Sequence, residues 1–245
     1  MNGQAPWYTP SSQVLTKTYA NGAVAKTTQA NFTYDHSYGN VVQENHHGDL
    51  GVTGDEKTIE RDFANETTLW LLGFPKRETI YKGVSTAVAD RMAATTFFYD
   101  GVANCATGST VQVPTIGHLT RTVNWLNGGT NPETRMAYDL YGNRTCTWTA
   151  SGIPAGSIST ATYDSTYRLF PVVATNALTH QVTTWYYGVT AGTDPTKGLF
   201  GQVARTIDLN NVAHSLEYDA LGRKVVETGG SVTPIVTTYN NLGGG

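Results

Sequence analysis

The sequence predicts an all-β protein: repeated antiparallel β-hairpins forming a curved or spiral sheet. Three observations carry this. First, a Tyr-Asp dipeptide followed by a short spacer and a glycine recurs along the chain, most clearly as Tyr138-Asp139-Leu140-Tyr141-Gly142-Asn143 and Tyr218-Asp219-Ala220-Leu221-Gly222-Arg223. Second, each copy closes a run suited to a strand, such as Ser215-Leu216-Glu217 before Tyr218, or Phe97-Phe98 before Tyr99. Third, charged residues are only 14% of the 245, against 26 Gly and 14 Tyr, with Thr abundant. A globular chain usually has about a quarter of its residues charged, and this profile is usual for extracellular β-proteins.

The elements of one repeat follow from local chemistry. Aromatic and β-branched residues fit a pleated, half-buried surface. The Asp that comes next can bond its own backbone two residues on, which begins a turn. The Gly or Asn after it tolerates positive φ, which tight hairpin turns demand. A second strand then starts, as in Arg223-Lys224-Val225-Val226-Glu227-Thr228. One unit is therefore a hairpin with Tyr just before its turn. Looser copies are Tyr34-Asp35 with Gly39, Tyr163-Asp164 with Arg168, and Tyr239 with Gly243; Tyr99-Asp100 is a fragment of the same signal. A second, weaker set reads Gly, three residues, then Arg: Gly73 to Arg77, Gly117 to Arg121 and Gly201 to Arg205, expected as strand starts. Spacing between tyrosines is irregular, and the long gap from Tyr163 to Tyr218 leaves room for a degenerate unit near Trp185-Tyr186-Tyr187-Gly188. Unequal units argue against a closed propeller and for a spiralling sheet that accepts loops of any length.

Along the chain, residues 1–30 read as an N-terminal hairpin region around Asn21-Gly22, a strong two-residue turn signal. Residues 31–245 hold the repeats, and no linker divides the chain, so 1–245 reads as one segment. Residues 46–57 read as a polar loop, 58–82 as two strands joined at 63–67, 83–94 as a short helix or a long loop, and 188–198 as a long turn.

These residues resemble the RHS/YD-repeat proteins, which include bacterial RHS toxins, the B and C components of insecticidal toxin complexes, and teneurins. Tyr163-Asp164-Ser165-Thr166-Tyr167-Arg168-Leu169-Phe170-Pro171 and Thr68-Leu69-Trp70-Leu71-Leu72-Gly73-Phe74-Pro75 look particularly like bacterial members. The resemblance covers roughly residues 30–245. It implies a long antiparallel sheet wound into a shell that encloses or scaffolds a polypeptide cargo such as a toxin, and a secreted or cell-surface location. It also implies, as partners, the remainder of such a shell or other copies joined by edge-strand pairing. The chain stops in mid-hairpin at Leu242-Gly243-Gly244-Gly245, so a piece of a longer protein, or a short homologue that completes its sheet by other means, is expected. The self-cleaving aspartates of the family have no counterpart that can be placed here.

Other function classes receive less support. The net charge of −3 gives no basic footprint for nucleic acid. No apolar run is long enough for a transmembrane helix, and the start lacks the pattern of a signal peptide. His46, His47 and Asp49 form the one local cluster with metal-ligand chemistry, but adjacent strand residues point to opposite faces; no metal and no cofactor is expected. The remaining histidines are scattered, and no Gly-x-Ser-x-Gly elbow is present, so no catalytic residue and no enzyme is expected. Trp7, Trp70, Trp125, Trp148 and Trp185 offer the alternative, a cell-surface adhesin or carbohydrate-binding module. Cys105 and Cys146 are expected as two separate thiols, with one bridge as the alternative, since the sequence does not set their distance.

Overall fold

A computed structural model describes residues 11–150, 156–230 and 232–239. Among these the chain is an antiparallel β-sheet in which every strand lies beside its sequence neighbours, from β1 to β16 in order. The strands are β1 (Gln13–Ala20), β2 (Ala23–Tyr34), β3 (Val41–Asp49), β4 (Lys57–Glu66), β5 (Leu71–Lys82), β6 (Arg91–Tyr99), β7 (Leu119–Asn124) and β8 (Glu133–Tyr138). They continue as β9 (Arg144–Thr149), β10 (Ser157–Tyr163), β11 (Pro171–Thr175), β12 (Gln181–Tyr186), β13 (Val203–Ile207), β14 (Ala213–Tyr218), β15 (Lys224–Gly229) and β16 (Ile235–Val236). The chain divides into two compact units, Met1–Val102 with Thr107–Arg135, and Ala103–Ala106 with Met136–Gly245.

Local sequence explains the elements. Asn21 and Gly22 both take positive φ, 51° and 80°, which is the two-residue turn that matches strand twist. Because side chains alternate across a strand, each face of the first unit has its own chemistry. On one face Thr58, Thr79 and Tyr81 are buried. On the other, Arg61 sits between Glu44 and Glu78, with its Nε 2.8 Å from Glu78. The second unit buries Met136, Ala137, Tyr186, Tyr187 and Ala204.

Several sequence expectations shift. β3 runs on to Asp49, so His46 and His47 belong to a strand and only the residues after it form the loop. Their partners differ: His46 bonds Glu44, and His47 bonds Asn31. The 83–94 stretch holds one 3-10 turn, Val88–Asp90, before β6 begins at Arg91. The link between β4 and β5 falls after Glu66. Gly73 lies inside β5, whereas Gly117 and Gly201 precede β7 and β13.

The expectation of two free thiols is overturned. Cys105 and Cys146 form a disulfide with Cα atoms 6.2 Å apart, across a sequence separation of 41. Cys105 sits in the long loop after β6, which folds back far enough to reach β9. Sequence spacing alone carries no record of that return.

Candidate functional site

The tyrosines of the repeat stand at equivalent places. Tyr34, Tyr99, Tyr138, Tyr163 and Tyr218 are the last residues of β2, β6, β8, β10 and β14, and Tyr186 of the degenerate unit ends β12. In five of these strands the register shifts immediately before the tyrosine: at Thr33/Tyr34, Phe98/Tyr99, Thr162/Tyr163, Trp185/Tyr186 and Glu217/Tyr218. In each case the extra residue of the bulge lies in the strand that follows, at Val42, Thr120, Val172, Ala204 and Val225 in turn.

The tyrosine hydroxyl donates to a backbone carbonyl earlier in the chain. Tyr34 donates to Ser11 (3.0 Å), Tyr99 to Pro75 (2.7 Å) and Tyr163 to Arg144 (3.1 Å). Tyr186 donates to Pro171 (3.0 Å), Tyr218 to Val203 (3.1 Å) and Tyr239 to Lys224 (3.1 Å). The acceptors follow a rule. Pro171 is the residue paired with Tyr163, Val203 is paired with Tyr186, and Lys224 is paired with Tyr218. Tyr186, Tyr218 and Tyr239 therefore each grip the residue opposite the tyrosine before them, while Tyr99 grips Pro75, which is paired with Phe63. Burial pushes the Tyr99 phenol up to about 12 and raises those of Tyr138, Tyr186 and Tyr218. These phenols remain neutral donors at physiological pH.

The aspartates organise the turns. Asp139 Oδ1 accepts from the backbone N–H groups of Tyr141 and Asn143, both at 2.9 Å; Asp219 Oδ1 accepts from Leu221 (3.0 Å) and Arg223 (2.9 Å). Gly142 and Gly222 supply the positive φ of these turns, 85° and 77°. Sequence reasoning missed two further copies. Asp208 and Asn176 make the same pair of bonds, to Asn210 and Val212 and to Leu178 and His180, with Asn211 and Thr179 at positive φ. No tyrosine precedes them; the available signal was an Asp or Asn opening a five-residue link between strand-like runs. In the first repeat Asp35 caps Ser37 (2.8 Å) and Gly39 takes positive φ one residue later than in the shorter turns. Gly243 lies outside the described residues.

Asp164 and Asp100 do more. Asp164 accepts from four backbone N–H groups, those of Thr166, Tyr167, Leu169 and Phe170. Asp100, 8% exposed, gathers the far end of its loop: Oδ2 accepts from Thr115 (2.7 Å), Ile116 (2.9 Å) and Gly117 (3.2 Å), and Oδ1 from His118 (2.9 Å). Burial alone would raise both carboxyls, but the ring of N–H donors outweighs it and holds both below the usual carboxylate range. They stand as permanent acceptors.

The Gly-x-x-x-Arg set belongs to a larger arrangement that occurs once in each unit. In the first unit Phe74 packs edge-on against Tyr99 at 5.3 Å, Tyr99 bonds the Pro75 carbonyl, and Arg121 lies over Phe98 at 5.0 Å. In the second, Phe170 packs on Tyr186 at 5.1 Å, Tyr186 bonds the Pro171 carbonyl, and Arg205 lies over Trp185 at 5.2 Å. The glycines fit because they lack a side chain. A Cβ on Gly117 would lie 2.9 Å from the Phe74 ring, and one on Gly201 would lie 2.9 Å from the Phe170 ring. Both arrangements anchor a long hairpin loop, after Tyr99 and after Tyr186. The Phe-Pro dipeptides that mark the resemblance to bacterial repeat proteins are the seats of these anchors.

Asp49 and the acidic residues of the loop after it are occupied with local bonding. Asp49 caps Gly51, Asp55 accepts from the Asp49 N–H, and Glu56 accepts from Gly54. Among the described residues, no group of three or more His, Cys, Asp or Glu is placed to hold a metal ion. Trp7 lies outside the described residues. Of the four other tryptophans Trp70 is 74% exposed, while Trp125 and Trp185 each lie beneath an arginine, Arg91 and Arg205.

This hairpin sheet is also found in crystal structures of TcdB2-TccC3, which are 11–12% identical to the chain with a TM-score of 0.58. The match covers 83% of this chain. The fold is that of a segment of TcdB2-TccC3. The chain spans only 13–14% of the length of those proteins, one of which was solved without its hypervariable C-terminal region. At this identity the likeness speaks for the fold, and it agrees with the all-β hairpin architecture and the RHS/YD-repeat resemblance read from the sequence. No family model and no curated protein sequence matches the chain.

Proposed function

We propose that the chain is a non-catalytic wall segment of an RHS/YD-repeat shell, one that encloses or scaffolds a polypeptide cargo such as a toxin. The observation that carries this reading is the succession of tyrosine stitches. They fasten hairpin to hairpin along one sheet, which builds a surface rather than a pocket. Their chemistry is spent on the wall itself: neutral phenols grip carbonyls and anionic carboxylates grip turn amides.

The remainder of such a shell, or another copy, would extend the sheet at β1, whose eight residues are all exposed. Among the described residues β1 is the edge of the sheet, and an edge strand is a ready template for that. The disulfide supports a secreted or cell-surface location, because such bonds persist in oxidising compartments.

Electron microscopy of the natural gene product, combined with protease protection, tests the proposal. A hollow particle whose lumen shields a polypeptide is the expected result. A solid particle with no lumen would remove the enclosure reading.

A further inference from the structure

The Tyr-type hairpin tips of the second unit carry an apolar rim that the wall reading does not use. Leu140 and Tyr141 lie at the tip between β8 and β9, Tyr167 and Leu169 between β10 and β11, Phe200 between β12 and β13, and Leu221 between β14 and β15. Leu140 is 99% exposed and Leu221 73%, and the other four are each at least half open. The ends of even-numbered strands all fall on one edge of an antiparallel sheet, so these tips follow one another along that edge. The rim has internal order: Tyr167 meets Phe200 edge-on at 5.0 Å, and Arg168 covers the Tyr141 ring at 5.6 Å. Its charges are already engaged. Asp139 and Asp164 hold turn amides, and Arg223 pairs with Asp219 at 2.7 Å.

We infer that this rim is an interface with a second copy of the chain, packed rim against rim. Area and chemistry both favour that occupant. The six exposures amount to about four fully open side chains, and at roughly 200 Å² each they offer on the order of 800 Å². That is the contribution of one partner to a standard stable interface, and more than the largest apolar patch of a typical monomer. A surface of aliphatic and aromatic groups with its charges paired matches another surface like itself, and two-fold self-pairing is the commonest form of assembly. The interface is separate from the β1 strand edge, so it stands or falls independently of the shell reading.

Sedimentation of the purified protein up to about 100 µM tests this. The wild type is expected to dimerise, and the Leu140→Lys/Leu221→Lys variant to weaken the dimer at least about 100-fold. Both side chains are exposed, so its circular dichroism and melting temperature should match the wild type. A Val14→Lys/Thr16→Lys variant, which charges the β1 edge, should dimerise normally. A wild type that stays monomeric overturns the inference. So does a dimer that survives the rim lysines, and so does one lost only with the β1 lysines, which would assign the interface to the strand edge.

Discussion

Replacing Asp100 with Asn isolates the contribution of a charged turn anchor. Asp100 sits at φ 48°, where Asn is at ease and Ala is strained, so Asn is the cleaner change. The carboxylate serves four N–H donors. Thr115 and Ile116 are exposed and can recover water, whereas Gly117 and His118 are half-buried. A hydrogen bond to a charged group contributes about 1.5–3 kcal/mol net. The amide can satisfy one side of the cluster but turns its own N–H₂ toward the other. A loss of about 2 kcal/mol at pH 7 is therefore expected.

The pH dependence gives this prediction its sharpest test. The native carboxyl lies below its unfolded value of about 4, so its stabilisation is complete above that value. It fades as the pH falls through the lower native pKa. The gap between wild type and Asp100→Asn should thus be full at pH 7 and shrink steadily below about pH 4. Urea unfolding followed by circular dichroism at pH 7 and at about pH 3 measures it. Asp35→Asn, at a turn where Asp35 caps Ser37, is the comparison and should lose only about 0.5 kcal/mol. An Asp100→Asn protein as stable as wild type at pH 7 would refute the reasoning, as would a gap that does not change with pH.

Two further predictions concern the stitches and the bridge. Tyr186→Phe keeps the ring on Phe170 but removes the bond to the Pro171 carbonyl; amide exchange in β11 should quicken about fivefold, and no change would mean that the hydroxyl contributes nothing. Removing the disulfide with Cys105→Ser and Cys146→Ser should cost about 4 kcal/mol for a loop of this length, and thiol titration of the denatured, unreduced wild type should find no free thiol.

What was legible in the sequence was whatever is local. The Asn21-Gly22 turn, the glycines at positive φ and the aspartates that cap two residues ahead are each decided within five residues, and the chain spells them out. The turns at Asp208 and Asn176 use the same chemistry with no tyrosine before them, so the Tyr-Asp pattern does not mark them. The structure separates the two roles: the aspartate makes the turn, and the tyrosine makes the stitch. The partner of the stitch could not be read, because it is a backbone carbonyl, which every residue has. The disulfide was hidden for a related reason, since its closure depends on how a long loop returns.

That separation of roles also explains the uneven spacing of the repeats. In the second unit Tyr186 and Tyr218 each reach the first residue of a strand that pairs with the preceding tyrosine, whatever the length of the loops between them. The stitch from Tyr186 to Pro171 spans 15 residues and the one from Tyr99 to Pro75 spans 24, yet the two make the same contact, each beside a phenylalanine and a glycine that fit together. The constant quantity in this sheet is the meeting of strand ends, and chain length is free to vary around it. A sheet built in this way can carry long loops, such as those after Tyr99 and Tyr186, without losing register, because each hairpin is held by its neighbour.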